Sequence, residues 1–187
     1  MNIVPNTWAG LAAAEIELFR TLLCGLPGHG VEIGCCDGFS TAHILESSRL
    51  NLTVIDPFVP DSMAPSLIGD ETRFRANVEP WKDRVALIKN YSHVVSETFS
   101  DALIDFLFID GDHAYEAVRR DFDQWTPRLR PGGLLAIHDS RMSRIHDPAR
   151  ATFHPGPSAV ACESIYQRPT AWEVVGEAFS LTVARKL

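Results

Sequence analysis

The chain has 187 residues, of which 45% are apolar and 22% charged. This is the profile of a globular domain able to bury a core, and it excludes a disordered, collagen-like or coiled-coil chain. Its 17 basic and 24 acidic residues give a net charge of −7, the wrong sign for a protein that works on nucleic acid phosphates. No apolar run reaches the length of a membrane span, and Met1 to Gly10 carry neither the basic start nor the cleavage pattern of a secretory leader. Cys24, Cys35, Cys36 and Cys162 form no C-x-x-C pair and all four read as reduced thiols, small buried apolar side chains. The expectation is therefore a cytoplasmic protein with neither a membrane nor a nucleic-acid partner.

In chain order, residues 8–24 place Leu11, Ile16, Phe19, Leu22 and Leu23 at helical spacing and predict an N-terminal helix stopped by Gly25-Leu26-Pro27. Residues 31–33 predict a short strand running into Gly34, and helical chemistry resumes over 40–45. Residues 52–55 predict a second strand ending at Asp56-Pro57, and 58–70, rich in Pro, Ser and Gly, reads as a loop. A helix over 71–81, a third strand over 84–88 and a fourth strand over 104–109, apolar enough to be buried on both faces, follow. A helix over 114–125 is stopped by Pro127 and by Pro131-Gly132-Gly133. The fifth strand, 134–137, ends at His138-Asp139. A polar loop over 141–157, a helix over 158–166 and two strands over 172–178 and 181–185 close the chain.

Strands alternating with helices and ending in a strand pair predict one α/β domain over residues 1–187. Its seven-stranded sheet is doubly wound and mostly parallel, with an antiparallel C-terminal pair. Ligands of such sheets lie beyond the carboxyl ends of the strands, so the residues there carry the functional reading.

At the first strand end, Glu32-Ile33-Gly34-Cys35-Cys36-Asp37-Gly38-Phe39-Ser40 holds two glycines that permit a tight turn and close ligand approach. The dinucleotide fingerprint G-x-G-x-x-G is absent. Glu32 would repel a pyrophosphate and suit a cationic or amine-bearing ligand. Asp56 follows the loop by roughly the 20 residues at which an acidic side chain bonds a nucleoside ribose. The plainer alternatives, a strand-to-helix turn and a turn former before Pro57, stay open for each feature taken singly.

The pattern E-x-G-x-x-x-G-x-S at 32–40, followed by Asp56, resembles the class I S-adenosylmethionine-dependent methyltransferases, whose fold is Rossmann-like. The resemblance implies that Glu32, Gly34, Gly38 and Ser40 line the cofactor, that Asp56 binds its ribose, and that Ser92 or its neighbours Asn90 and Tyr91 lie near the adenine. Asp110 is placed at the cofactor as well. Residues 30–100 form the cofactor half and 101–187 the metal and catalytic half.

Ile104 to Tyr115, with Asp121, Leu129 to Gly133 and His138-Asp139, resembles the macrocin-type sugar and small-molecule O-methyltransferases. That resemblance implies a divalent cation held at Asp110 and Asp139, and a general base at His113. It departs from the family pattern beside Asp139, where His138 and Ser140 stand; His138 or Asp112 would complete the ligand set. Chemistry supports the metal, since two carboxylates on neighbouring strand ends repel unless a cation or proton shares them, and oxygen donors suit Mg²⁺. A cation bridged by a diol would orient the hydroxyl and lower its pKa. His138 is the rival base, a neutral imidazole being suited to take a hydroxyl proton. Turn and capping chemistry is the alternative for Asp110, Asp112 and Asp139.

The reading is an S-adenosylmethionine-dependent O-methyltransferase that uses Mg²⁺ and acts on a small hydroxylated molecule such as a sugar or natural product. A cation-independent methyltransferase and a non-catalytic nucleoside-cofactor binding module are the alternatives. Loops 58–70 and 141–157 are the places for a lid and for acceptor specificity, and a homodimer that completes the pocket is left open.

Overall fold

A computed structural model describes residues 10–99, 102–141 and 155–187. Helix α1 (Ala13–Leu22) leads into β1 (Pro27–Ile33), α2 (Phe39–Ser47) and β2 (Arg49–Ile55). Then come α3 (Glu71–Val78), a 3-10 turn (Glu79–Arg84), β3 (Val85–Ile88), α4 (Ser92–Thr98) and β4 (Ile104–Ile109). The chain closes with α5 (Tyr115–Trp125), β5 (Leu129–Ile137), α6 (Pro155–Ala161) running into a π-helical turn (Cys162–Tyr166), β6 (Trp172–Ala178) and β7 (Leu181–Lys186).

The seven strands form one sheet in the order β3-β2-β1-β4-β5-β7-β6. β3, β2, β1, β4 and β5 pair in parallel, and β7 pairs antiparallel with β5 and β6. This is the doubly wound, mostly parallel architecture expected from the strand–helix alternation.

Alternation along the strands makes two apolar layers. Val31, Ile33, Leu107 and Ile109 point to the face covered by Val118, Phe122 and Trp125 of α5 and Val160 of α6. Leu52, Val54, Phe106 and Phe108 point to the other face, under Phe19 of α1, Ile44 of α2 and Phe74 of α3. Phe19 meets Phe106 and Phe108 edge-on, at 6.0 and 5.5 Å between ring centres. Such pairs add about 0.5–1.5 kcal/mol beyond burial.

The differences from the sequence expectation are at element ends and in one helix. The N-terminal helix is shorter than residues 8–24; residues 8 and 9 lie outside the described part. β1 starts at Pro27 and β5 at Leu129, because neighbouring strands recruit flanking residues whose own patterns are weak. In β5, Leu129 pairs with Ile104 and pairing resumes at Leu134 opposite Phe106, so Pro131-Gly132-Gly133 forms an irregularity inside the strand, not a stop before it. Helix α4 was not expected. Most of the 141–157 loop lies outside the described residues. Among those described, no helix is long and apolar enough to cross a membrane.

At four strand ends one further backbone bond continues the ladder. Gly34 N donates to Ile55 O, Asp56 N to Ile88 O, Asp110 N to Ile33 O and His138 N to Ile109 O. These bonds bring the four residues to one edge of the sheet.

Candidate active site

Beyond that edge lies a cleft of about 640 Å³. Its wall includes Gly34, Ser40, Asp56, Ser92, Asp110, His113, His138 and Asp139. Sequence-predicted residues thus converge from β1, β2, β4, β5 and α4.

The loop after β1 turns through Gly34 and Gly38, both at positive φ. Cys36 between them also has positive φ (49°). Asp56 holds this loop: its Oδ2 accepts from Cys35 N at 2.8 Å and Cys36 N at 3.0 Å, and its Oδ1 accepts from Phe58 N at 2.6 Å. The carboxylate proposed for the ribose therefore also fixes the loop beneath it.

Glu32 and Gly38 are not on the cleft wall. Glu32 is fully buried behind the loop and accepts from Ser40 Oγ at 2.5 Å, while its Oε2 finds no partner. Burial pushes its carboxyl up to about 8, with the negative charges of Asp110 and Asp56 adding to the effect. Ser92 Oγ donates to Asp121, a buried carboxyl pushed up to about 6 by desolvation. Tyr91 and His93 flank Ser92 on the wall.

Asp110, His113 and Asp139 form the polar centre. One ligand atom from each lies within 4.8 Å of the others. Asp139 takes positive φ (53°) directly after β5, a turn that Asp tolerates better than most residues. His113 Nε2 is 3.0 Å from Asp139 Oδ2, and its Nδ1 is 2.7 Å from Asp61 Oδ2. Burial alone would disfavour the imidazolium, but the hydrogen bonds to Asp139 and Asp61 outweigh it and push the ring up to about 10. Burial opposes the Asp139 charge too, yet His138 and His113 hold its carboxyl well below the usual carboxylate range.

His138 stands against both carboxylates of this group, with Nδ1 3.6 Å from Asp139 Oδ2. Its Nδ1 is 3.1 Å from Asp110 Oδ1, and its Nε2 faces Ser180 Oγ at 3.2 Å and Glu15 Oε2 at 3.4 Å. The predicted pair Asp110 and Asp139 is thus brought together with His113, while His138 turns one nitrogen toward α1 and the β6–β7 turn. Asp112 does not join them; its carboxylate takes Ser62 Oγ at 2.6 Å and Ala114 N at 2.8 Å.

Two carboxylates at the site were not found from the sequence. Glu15, wholly buried in the first turn of α1, accepts from Ala12 N, Ser180 N and Ser180 Oγ. Asp61 lies in the 58–70 segment, which walls the cleft with Val59, Pro60, Leu67 and Gly69. Glu15 lies in a stretch read only as a helix and Asp61 in one read only as a loop, and no spacing pattern links either to the strand ends.

A family model described as a methyltransferase domain matches residues 31–140. The chain is 30% identical over 118 residues to the uncharacterized protein R132 of Acanthamoeba polyphaga mimivirus, covering 58% of this chain and 50% of that protein. The chain thus spans about half the length of this curated relative. Among solved structures, the O-methyltransferase NovP superposes with a TM-score of 0.69 at 17% identity, over 92% of this chain and 79% of that one. The SAH-bound methyltransferase PaMTH1 of Podospora anserina gives 0.58 at 18% identity, over 85% and 71%. At such identities the structural likeness speaks for the fold. The matched segment runs from the β1 glycine loop to the end of β5 and takes in most of the cleft's polar wall, and on that match the chain belongs to the class I S-adenosylmethionine-dependent methyltransferases.

Proposed function

We propose that the protein transfers the methyl group of S-adenosylmethionine to a hydroxyl of a small molecule, such as a sugar or natural product. In this reading Asp110 and Asp139 hold a divalent cation, Mg²⁺ by the oxygen character of the donors, and His113 is the general base. The observation that carries it is the Asp110–His113–Asp139 cluster on the wall of the same cleft as the glycine loop.

The residues fit both groups. The cleft is rich in carboxylates and suits a cationic sulfonium nucleoside, with Asp56 and Ser92 on the side of its ribose and base. The two carboxylates, in reach of one another, are oxygen donors that suit a divalent ion, and the imidazole beside them is left for the proton. When bound, S-adenosylmethionine supplies an electrophilic methyl group, and the cation supplies the positive charge that orients and acidifies a hydroxyl.

The chain's own residues do the rest. Gly34 lets the loop pass close under the cofactor, and Asp56 keeps that loop in place. Asp110 and Asp139 set the position of the acceptor oxygen. His113 Nε2 faces the same space and takes the hydroxyl proton as the oxygen attacks. Asp139, which also faces His138, and Asp61 both favour the charged imidazole; engaging Asp139 elsewhere removes one of these two influences.

One observation favours a cation-independent transfer instead: His113 and His138 already pair with both aspartates. Transfer of an isotope-labelled methyl group to hydroxylated small molecules, with and without chelator, tests both readings. Labelling that requires Mg²⁺ supports the first; labelling unaffected by chelator supports the second.

A further inference from the structure

We infer that Asp61 is the positioning residue of His113: the 58–70 segment delivers a carboxylate that fixes the ring so that Nε2 faces the Asp110–Asp139 pair. The inference deepens the proposed function and rests on His113 being its base.

The two oxygens of Asp61 do different things. Oδ1 accepts from Met63 N and Ala64 N, each at 2.7 Å, and so closes the turn in which Asp61 sits. Two backbone bonds complete that turn, Leu67 N to Ala64 O and Asp61 N to Leu67 O. A turn former needs no more than this. Oδ2 is left over from the turn and goes entirely to His113, accepting from its backbone N at 3.1 Å and meeting its ring Nδ1 at 2.7 Å. Both side chains are only 9% exposed, so water competes little for either bond.

The next residue repeats the docking. Ser62 donates through Oγ and backbone N to Asp112, whose carboxylate also caps Ala114 N. The segment is therefore seated on the β4–α5 loop by two consecutive residues. A ring bonded at Nδ1 and at its own backbone N has little freedom to flip, and Nε2 is directed to Asp139. When the ring carries both protons, Nδ1–H donates to Asp61 and Nε2–H to Asp139. The arrangement is one in which a carboxylate orients a base without touching the reacting atoms. It also ties the base to the segment that walls the cofactor cleft.

The test reads the ring directly and needs no acceptor. With ¹⁵N-histidine, the Nδ1–H proton of His113 is assigned by its disappearance in His113→Gln. In the otherwise unaltered protein at neutral pH it should be protected from exchange with water. Asp61→Asn keeps a carbonyl oxygen for the turn but replaces the second acceptor with a donor; Asp61→Ala removes both. The expected result is loss of the protected Nδ1–H signal in both variants, with the His138 ring signals in place and melting cooperative. A signal that persists at its original position overturns the inference. So does a loss accompanied by displaced His138 signals, or unfolding of both variants, since either makes Asp61 a general support of the fold. The base assignment fails separately: if His113→Ala retains turnover, His113 is not the base, while the dependence of its ring on Asp61 is unaffected.

Discussion

Gly34 and Asp110 are packed so closely that a Cβ on Gly34 would stand 2.1 Å from the Asp110 carbonyl oxygen. Gly34 also has φ of +82°, in the region that glycine alone enters freely. The first loop and the first proposed metal ligand are thus locked together through backbone. Gly34→Ala should destabilise the protein by more than the roughly 1–3 kcal/mol that left-handed strain alone costs. Urea unfolding with a normal m-value and no loss of midpoint would contradict this.

Asp56→Ala removes the acceptor of three backbone N–H groups as well as the proposed ribose ligand. Cofactor affinity should fall by about 1.5–3 kcal/mol for each charged hydrogen bond lost. Calorimetry with S-adenosylhomocysteine on the folded variant measures it, and unchanged affinity would take Asp56 out of the site.

If Asp110 and Asp139 hold a cation, chelator should abolish turnover and Mg²⁺ should restore it. Asp139→Asn should weaken Mn²⁺ binding, followed by electron paramagnetic resonance, by roughly a hundredfold or more. Tight Mn²⁺ binding by that variant would point to other ligands.

His113→Ala should lower turnover by about 10²–10⁴-fold and leave cofactor affinity near its original value. The same loss in His138→Ala, with His113→Ala active, would exchange the two roles.

Burial raises the Glu32 carboxyl from 4.5 to about 8 in the folded protein. The native state then keeps a proton that the unfolded chain releases above about pH 4.5, so this residue's contribution to stability declines as pH rises through that window to about 8. Glu32→Gln, which keeps an acceptor for Ser40, should flatten that part of the stability–pH curve. An unchanged slope in denaturant titrations would mean that Glu32 does not titrate there.

Much of this protein is legible in its sequence. Strands such as 52–55 and 104–109 are, but for Thr53 and Asp105, apolar on both faces and bounded by polar turns, which is what a parallel sheet covered by helices demands. The residues that follow them, Asp56, Asp110 and His138-Asp139, were readable because the carboxyl ends of such strands gather at one edge. Local chemistry also marked Gly34, since a sharp exit from a strand into a helix calls for a residue without a side chain.

Tertiary structure decided the rest. Apart from Glu97, helix α4 is made of His, Val, Ser and Thr, all indifferent helix formers, and no side chain caps its start. What holds it is remote: Ser92 on Asp121, Ser96 on Gln124, and Arg128 on Ser96 O. The placing of His113 and His138 about the two aspartates likewise involves Asp61, which folds back onto His113, and Glu15, which approaches His138 from α1. A run of residues records its own turns and periodicity. It does not record which distant carboxylate will face a ring nitrogen, because that follows from the packing of whole elements and from no local preference.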